Sequence, residues 1–162
     1  GPMIRWGTKD VPFAEWAHGV LDVELSVAEE TTSRVAFALR YRGDLPGIRW
    51  ICGKYVLTAD GLLVRWTSDR GILGGLTVPL IATDGLAASR IFRCADGFIA
   101  RYRGASFVAR AVEPAGLRLA LDEVAVPNAN GAYRVARFNG PVEGIGFRFH
   151  VAKHAVLDTS PA

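Results

Sequence analysis

Apolar and polar residues alternate one by one along most of the chain, whereas the spacing of an amphipathic helix is almost absent. In GVLDVELSV and again in RVAFALRYR, every second residue is apolar, which is the pattern of a strand with one buried face. The apolar positions are Leu21, Val23, Leu25 and Val27 in the first run and Val35, Phe37, Leu39 and Tyr41 in the second. Because only the polar segment AEETTS separates them, the two half-buried strands are predicted to be neighbours.

The segment KYVLTADGLLVRW predicts a hairpin that turns at Asp60-Gly61, two residue types that tolerate the positive φ of a type I′ turn. That register places Tyr55 opposite Trp66 on an apolar face. Arg65 then lies on the other face, opposite Val56. We therefore expect Trp66 in the core and Arg65 at a surface that a ligand could reach.

The segment SRIFRCADGFIARYRGASFVARAV predicts a three-stranded meander, with turns at Asp96-Gly97 and near Arg103-Gly104. One face is core-like, with Arg93 as its exception, and collects Ile91, Phe98, Ala100, Tyr102, Phe107 and Ala109. The other face mixes apolar residues with Arg90, Arg101 and Arg103. A face of this kind is expected to be covered in part by another sheet, a loop or a ligand.

Further strand-like runs bring the total to about ten, at spacings typical of a sandwich or a barrel. The sequence thus predicts an all-β fold, an antiparallel β-sandwich, with a closed lipocalin-like β-barrel as the alternative. Its length fits a single β domain over residues 1–162. Gly1-Pro2 resembles the remnant of a cleaved tag, and residues 3–18 are predicted to form an N-terminal cap, either a helical turn after Asp10 or an irregular segment.

Composition narrows the class of protein without naming its function. Half of the residues are apolar and 22% are charged, so the chain is expected to fold. Arg and Lys number 19 against 16 acidic residues and are interleaved with them, so nucleic-acid binding is not expected. The longest uncharged run, 71–83, is shorter than the ~20 residues of a membrane-spanning helix. Frequent Arg and Ala suggest a bacterial source with a GC-rich genome.

Metal or cofactor chemistry is not expected from the His and Cys residues. On a strand, His150 and His154 would lie about 13 Å apart, too far to share a metal ion. Cys52 and Cys94 lie in separate strand-like runs with apolar neighbours and are predicted to be free thiols. We therefore predict no cofactor and no metal site.

Two groups of residues are candidates for function. Glu15 and His18 could act as acid and base if they line a cleft, although Trp16 could equally close the core there, with His18 at a strand start. Arg side chains bind carboxylate or sulfate groups, and aromatic rings stack on sugars. The candidate ligand-binding residues are Arg65, Arg90, Arg101, Arg103 and Trp50. The alternative is that these arginines are solvated and paired with acids.

The succession YVLTADGLLVRW, LTVPLIATDG, FIARYRGASFVARAV and NANGAYRVARF resembles the C-terminal β-sandwich regions of bacterial polysaccharide lyases and related glycosidases. The resemblance covers 35–151 and implies a large antiparallel sandwich. It further implies an accessory or binding domain for acidic saccharides in a secreted or periplasmic protein. The chain lacks the helical toroid that often carries catalysis in such lyases, and no catalytic residue can be transferred to it.

Two alternatives to this function remain open at the sequence level. A β-barrel would bind an apolar small molecule, with Trp16, Trp50, Tyr55 and Trp66 lining or closing the cavity. Glu15 and His18 would then be the acid and base of a cyclase or isomerase, and the protein would be cytoplasmic. The second alternative is a structural or protein-interaction domain, such as a homodimer. Whether the chain is an enzyme stays open.

Overall fold

The computed structural model describes residues 1–6, 8–45, 47–70, 73–142 and 144–153. In this part of the chain, fourteen strands and one 3-10 helix (Phe13–Gly19) are present. The six-stranded sheet contains β1 (Pro2–Trp6), β2 (Lys9–Pro12), β7 (Leu73–Thr83), β11 (Arg118–Leu121), β12 (Val126–Asn128) and β13 (Gly131–Val142). The eight-stranded sheet contains β3 (Val20–Glu30), β4 (Arg34–Leu45), β5 (Ile48–Thr58), β6 (Gly61–Ser68), β8 (Arg90–Cys94), β9 (Gly97–Tyr102), β10 (Ala105–Glu113) and β14 (Gly144–Lys153).

The two sheets form an antiparallel sandwich, which confirms the predicted all-β fold. The strand order is β11-β13-β7-β1-β2 in one sheet, with β12 beside β13, and β3-β4-β5-β6-β14-β10-β9-β8 in the other. Both sheets therefore have open edges, and the alternative of a closed barrel is wrong. Among the described residues, no helix is long and apolar enough to cross a membrane.

The N-terminal segment is a part of the sheet and not an irregular cap. Pro2 begins β1, which lies between β7 and β2 in the six-stranded sheet. Pro2, Met3 and Ile4 are all buried, and the pairing with β7 shifts register between Met3 and Ile4. Three consecutive buried residues lack the alternation that marks a strand, so the pattern of the sequence does not predict β1. The expected helical turn is the 3-10 helix that follows β2.

The core between the sheets is built on aromatic rings. Phe138 of β13 meets Phe147 of β14 and Phe98 of β9 edge to face, with ring centroids 4.8 and 5.6 Å apart. All three side chains are fully buried. Such contacts add to the stabilisation from apolar burial and hold the two sheets together at this point.

The β5–β6 hairpin has a different register from the predicted one. Thr58 pairs with Gly61, so the turn residues are Ala59-Asp60. Gly61 has φ +128, and a Cβ on it would lie 2.2 Å from the carbonyl oxygen of Phe149 in β14, so this position requires glycine. The shift amounts to two residues and preserves the faces. Trp66 is buried as predicted, but it lies opposite Gly53 and only diagonal to Tyr55.

Strands β3 and β4 are neighbours as predicted, but their apolar face is not covered. The exposed fractions of Val23, Leu25 and Val27 are 50%, 61% and 54%. β3 is the edge of the wider sheet, and the six-stranded sheet packs on the strands further in. We call the inner-facing side chains of this edge region the apolar wing: Val23, Leu25, Val27, Val35, Phe37, Leu39, Tyr55 and Leu57.

Candidate functional site

The outer face of the eight-stranded sheet, turned away from the core, carries a concentration of positive charge. Strand alternation places five acidic side chains on this face or beside it, namely Asp22, Glu24, Glu29, Asp96 and Glu113. It also places nine exposed basic side chains there, namely Arg34, Arg40, Arg42, Lys54, Arg65, Arg90, Arg101, Arg110 and Arg148. The whole chain has a net charge of only +3, so its excess of positive charge lies largely on this surface. We call it the basic face.

Four of the nine cations are neutralised by nearby acids. Arg65 pairs with Glu113, Arg42 with Glu24 and Arg34 with Glu29, each at 2.8 Å. Arg110 lies 3.7 Å from Asp96. Each pair is about half exposed and contributes little to stability. Within the described residues, no carboxylate lies within 4.0 Å of the other five, which are Arg40, Lys54, Arg90, Arg101 and Arg148. These five cations are available to an anionic ligand.

A shallow groove of about 250 Å³ crosses the basic face over β3, β4 and β5. The register aligns Ser26 with Ala38 and Lys54, and Glu24 with Arg40 and Cys52. The groove is lined by these six side chains. The short side chains of Ser26, Ala38 and Cys52 form the floor of the groove, and the longer charged side chains border it.

Trp50 lies at one end of this groove. The guanidinium of Arg40 lies 5.1 Å from the centroid of its indole ring, a cation–π contact that orients the Arg side chain. The groove thus offers two cations for a carboxylate or sulfate, a Ser hydroxyl, and a Glu carboxylate that can accept hydrogen bonds from hydroxyl groups. This combination suits a ligand that carries both hydroxyl and acidic groups.

A second cationic group lies at the other end of the basic face. Arg101 of β9 is directly opposite Arg90 of β8, and its guanidinium lies 5.1 Å from the ring centroid of Phe92. β9 is four strands away from β5, which is about 19 Å across the sheet. The registers also place Arg101 about six residues further along the strands than Lys54, so this pair lies roughly 28 Å from Lys54. The two groups are too far apart for one monosaccharide, but an extended oligosaccharide could contact both.

Arg103 does not join Arg90 and Arg101, contrary to the predicted arrangement. It lies in the turn after β9 with φ 45, where the alternation of the strand ends. Its guanidinium lies 2.5 Å from the carboxylate of Asp84 and over the ring of Tyr102. The Tyr102 hydroxyl and the N–H groups of Ala87 and Leu86 donate to the same carboxylate, and together they hold the pKa of Asp84 well below its usual value.

The candidate acid and base lie away from the groove. Glu15 and His18 are both exposed on the 3-10 helix at one end of the sandwich. Trp16 between them packs against the core, and its buried Nε1 has no hydrogen-bond partner in the described part of the chain. The structure therefore gives Trp16 the core-closing position that the sequence offered as an alternative. It does not place Glu15 and His18 in the groove.

The remaining His and Cys residues are dispersed. His150 lies on the outer face of β14 opposite Val108, and His154 lies outside the described residues. Cys52 and Cys94 are free thiols on β5 and β8, five strands apart. Over residues 1–153, apart from the gaps given above, no cluster of three or more His, Cys, Asp or Glu side chains could hold a metal ion.

None of the six residues that line the groove was among the sequence candidates for function, although Trp50 at its end was. Glu24, Ser26 and Lys54 are polar positions of ordinary strands, and each is unremarkable in its own segment. Only the pairing of β3 with β4 and of β4 with β5 brings them together. The signal that could have found them is the register of these three strands.

Comparison with known proteins gives a relationship at the level of fold. No family model matches the sequence, and no curated protein matches it. A solved structure of an α-N-acetylgalactosaminidase from Bifidobacterium bifidum, a quadruple mutant, is similar with a TM-score of 0.56 and 15% sequence identity. The match covers 95% of this chain but only 31% of that enzyme's chain. The similarity supports a fold shared with part of a glycosidase, and not the C-terminal sandwich of a polysaccharide lyase.

Proposed function

We propose that the basic face binds acidic saccharides, and that the chain acts as an accessory carbohydrate-binding domain without a catalytic centre of its own. The observation that carries this proposal is the set of five cations without a carboxylate partner, two of which border the groove that also contains Glu24 and Ser26. A uronic acid or sulfated sugar presents an anion and several hydroxyl groups within one residue. Its anion would pair with Arg40 or Lys54, and its hydroxyls would bond to Ser26 and Glu24.

The mixed charge of the groove favours a saccharide over a nucleic acid. A phosphate backbone presents closely spaced negative charges, and the carboxylate of Glu24 would repel them. A sugar hydroxyl, in contrast, can donate a hydrogen bond to that carboxylate. The aromatic rings of Trp50 and Phe92 already contact Arg40 and Arg101, and their free edges and faces offer apolar area to a sugar ring.

The fold relationship agrees with a carbohydrate ligand. The similar solved structure is named for action on α-linked N-acetylgalactosamine, and this chain corresponds to about a third of its length. A domain of that size in a glycosidase can contribute saccharide contacts while catalysis takes place elsewhere. The groove also contains one carboxylate, that of Glu24, whereas glycoside hydrolysis ordinarily requires a pair.

The test is a calorimetric titration with an oligomer of galacturonic acid and, in parallel, a neutral galactose oligomer of the same length. We expect binding of the acidic oligomer that weakens with added salt, and much weaker binding of the neutral one. The variant Arg40→Ala with Lys54→Ala should weaken binding by about tenfold or more, since each lost charge contact is worth about 1 kcal/mol or more in affinity. In the same titration, Arg90→Ala with Arg101→Ala tests the second cationic group.

The matched control is Lys9→Ala with Arg118→Ala. It removes one Lys and one Arg that are equally exposed but lie on the six-stranded sheet. This control should bind like the native chain. Equal loss of binding in both double variants would indicate a general effect of net charge and would overturn the groove as the site. Absence of binding to uronic and sulfated oligomers alike would overturn the proposed function.

A further inference from the structure

Most cations of the basic face lie along one diagonal line across the eight-stranded sheet. Each of the seven neighbouring strands from β4 to β8 carries a basic side chain on this line. In strand order they are Arg40, Lys54, Arg65, Arg148, Arg110, Arg101 and Arg90. From one strand to the next, the position along the strands either stays level or moves by two or four residues, always in the same direction. We call this row of side chains the cationic track.

The cationic track is long and open at both ends. It crosses six strand spacings and moves eight residues along the strands, so its length is roughly 40 Å. One end lies beside the edge strand β3, and the other end lies on the edge strand β8. A ligand that follows the track can therefore continue past both edges of the sheet. This suits an internal stretch of a long chain.

The acids of the basic face lie off the cationic track. They are on the edge strand β3 (Asp22, Glu24 and Glu29), in the β8–β9 turn (Asp96) and at the end of β10 (Glu113). Within the described residues, Arg65 and Arg110 are the two track cations that pair with an acid, and both pairs are about half exposed. Exposed ion pairs are weak, so an anion of a ligand can replace the carboxylate. The track thus offers a row of positive charge to a chain that carries several anions.

A second depression lies beside the middle of the cationic track. It has a volume of about 140 Å³ and is lined by Val56, Thr58, Asp60, Gly61, Leu62, Leu63 and Arg148. Like the groove over β3, β4 and β5, it combines a cation, a hydroxyl group and a carboxylate. The registers place the two depressions roughly 17 Å apart. Two depressions with the same chemistry on one face suit a ligand whose units repeat.

We propose that the cationic track binds an internal stretch of a linear polysaccharide that has acidic groups in its repeating units, laid diagonally over the strands from β4 to β8. This inference rests on the proposed function and adds the length and the course of the ligand. The groove by itself holds a short acidic saccharide. The track adds contacts along the same chain, and each contact strengthens the next because it raises the effective concentration of the neighbouring sugars.

The test is a calorimetric titration with a trimer and a dodecamer of galacturonic acid. An extended dodecamer is longer than the track, whereas a trimer occupies one part of it. The native chain should bind the dodecamer at least about a hundredfold more tightly than the trimer, since linked contacts reinforce one another. Its affinity for the dodecamer should also fall more steeply with added salt, because a longer polyanion releases more counterions on binding.

Two variants shorten the track. Arg90→Ala with Arg101→Ala removes its far end, and Arg148→Ala removes its middle. Each should weaken the dodecamer by about tenfold or more and the trimer by less than about twofold. A long chain also offers more registers to a short site, but this statistical gain is the same in the native chain and in the variants. The matched control, Lys9→Ala with Arg118→Ala on the other sheet, should bind both oligomers like the native chain.

The outcomes separate the track from the proposed function. Equal affinity of the native chain for trimer and dodecamer, or dodecamer binding that is unchanged in both variants, would refute the track and leave the groove as a site for acidic saccharides. Absence of binding at both lengths would refute the proposed function itself. Equally tight binding of a polyglutamate of the same charge would show that charge alone is recognised and would rule against a saccharide ligand.

Discussion

Strands β3 and β6 have the same alternating pattern, but the apolar side chains of β6 are buried and those of β3 are exposed. In β6, Val64 and Trp66 are 4% and 7% exposed, whereas the corresponding apolar residues of β3 are half exposed or more. The difference lies in the position of each strand in the sheet. β6 is fourth in order and lies under the six-stranded sheet, and β3 is the edge. Alternation therefore indicates which residues share a face, but it does not say whether anything covers that face.

The largest loss of stability is expected when a single aromatic residue is removed from the region that both sheets cover. Phe138→Ala removes a fully buried ring that joins both sheets, so it should lower the free energy of unfolding by about 3–5 kcal/mol. Urea denaturation followed by circular dichroism measures this change. A loss below about 1 kcal/mol would mean that the two sheets are not joined through this contact.

A Phe→Ala substitution in the apolar wing should lower the free energy of unfolding by a smaller amount. Phe37 is half buried and stacks on Tyr55, so Phe37→Ala should lower the free energy of unfolding of the monomer by about 1–2 kcal/mol. Urea denaturation measures this change as well. Equal losses for Phe37→Ala and Phe138→Ala would contradict the description of the wing as uncovered.

A smaller difference in stability is expected between an ion pair on the six-stranded sheet and an ion pair at the β3 edge. Arg137 of β13 donates two hydrogen bonds, both 2.8 Å long, to the carboxylate of Asp122, and these hold the pKa of Asp122 below its ordinary value of 3.8. Its contribution is therefore complete above about pH 4 and is lost as the pH falls through the lowered pKa. Because both partners are about one third exposed, we expect Asp122→Asn to cost on the order of 1 kcal/mol at pH 7.

Asp122→Asn should also flatten the loss of stability as the pH falls below about 4, because the group that takes up the proton is gone. Denaturation midpoints at several pH values measure this slope. Glu24→Gln, on the outer face of the edge strand β3, is the control, since its ion pair with Arg42 is half exposed and contributes little. If both variants alter the stability at pH 7 equally, the ion pairs of the two regions do not differ as proposed.

The fold class and the faces of most strands could be predicted from the sequence. The second turn of the β8–β9–β10 meander lies at Arg103-Gly104 as predicted, and Trp66 is in the core. The first turn lies at Ala95-Asp96, one residue before the predicted Asp96-Gly97. These features follow from local information, namely turn residues and a period of two. The predicted register of the β5–β6 hairpin is wrong by two residues, but the predicted faces are correct. A register shift by an even number of residues leaves every side chain on the same face of the sheet.

The parts that could not be predicted depend on contacts between distant segments. β1 lacks alternation because Pro2, Met3 and Ile4 are all buried in the middle of a sheet, where the pairing with the distant strand β7 shifts register between Met3 and Ile4. Arg103 leaves the basic face because of a turn residue with positive φ and because of Asp84, which lies in another loop. The groove likewise requires the register of three strands. In each case the structure of one segment is set by a segment distant in the chain, so the local sequence alone does not predict it.

The strand order has a consequence for how the chain folds. Strands β3 to β6 pair each with the next along the chain, through short connections. The six-stranded sheet instead pairs Met3 of β1 with Gly75 of β7, and Val78 of β7 with Ala136 of β13. Closing long loops costs entropy before contacts are gained, so distant pairings form late. The β3–β6 ribbon, which carries the least covered surface of the native protein, is thus expected to be the scaffold that assembles first, and the aromatic core the part that completes last.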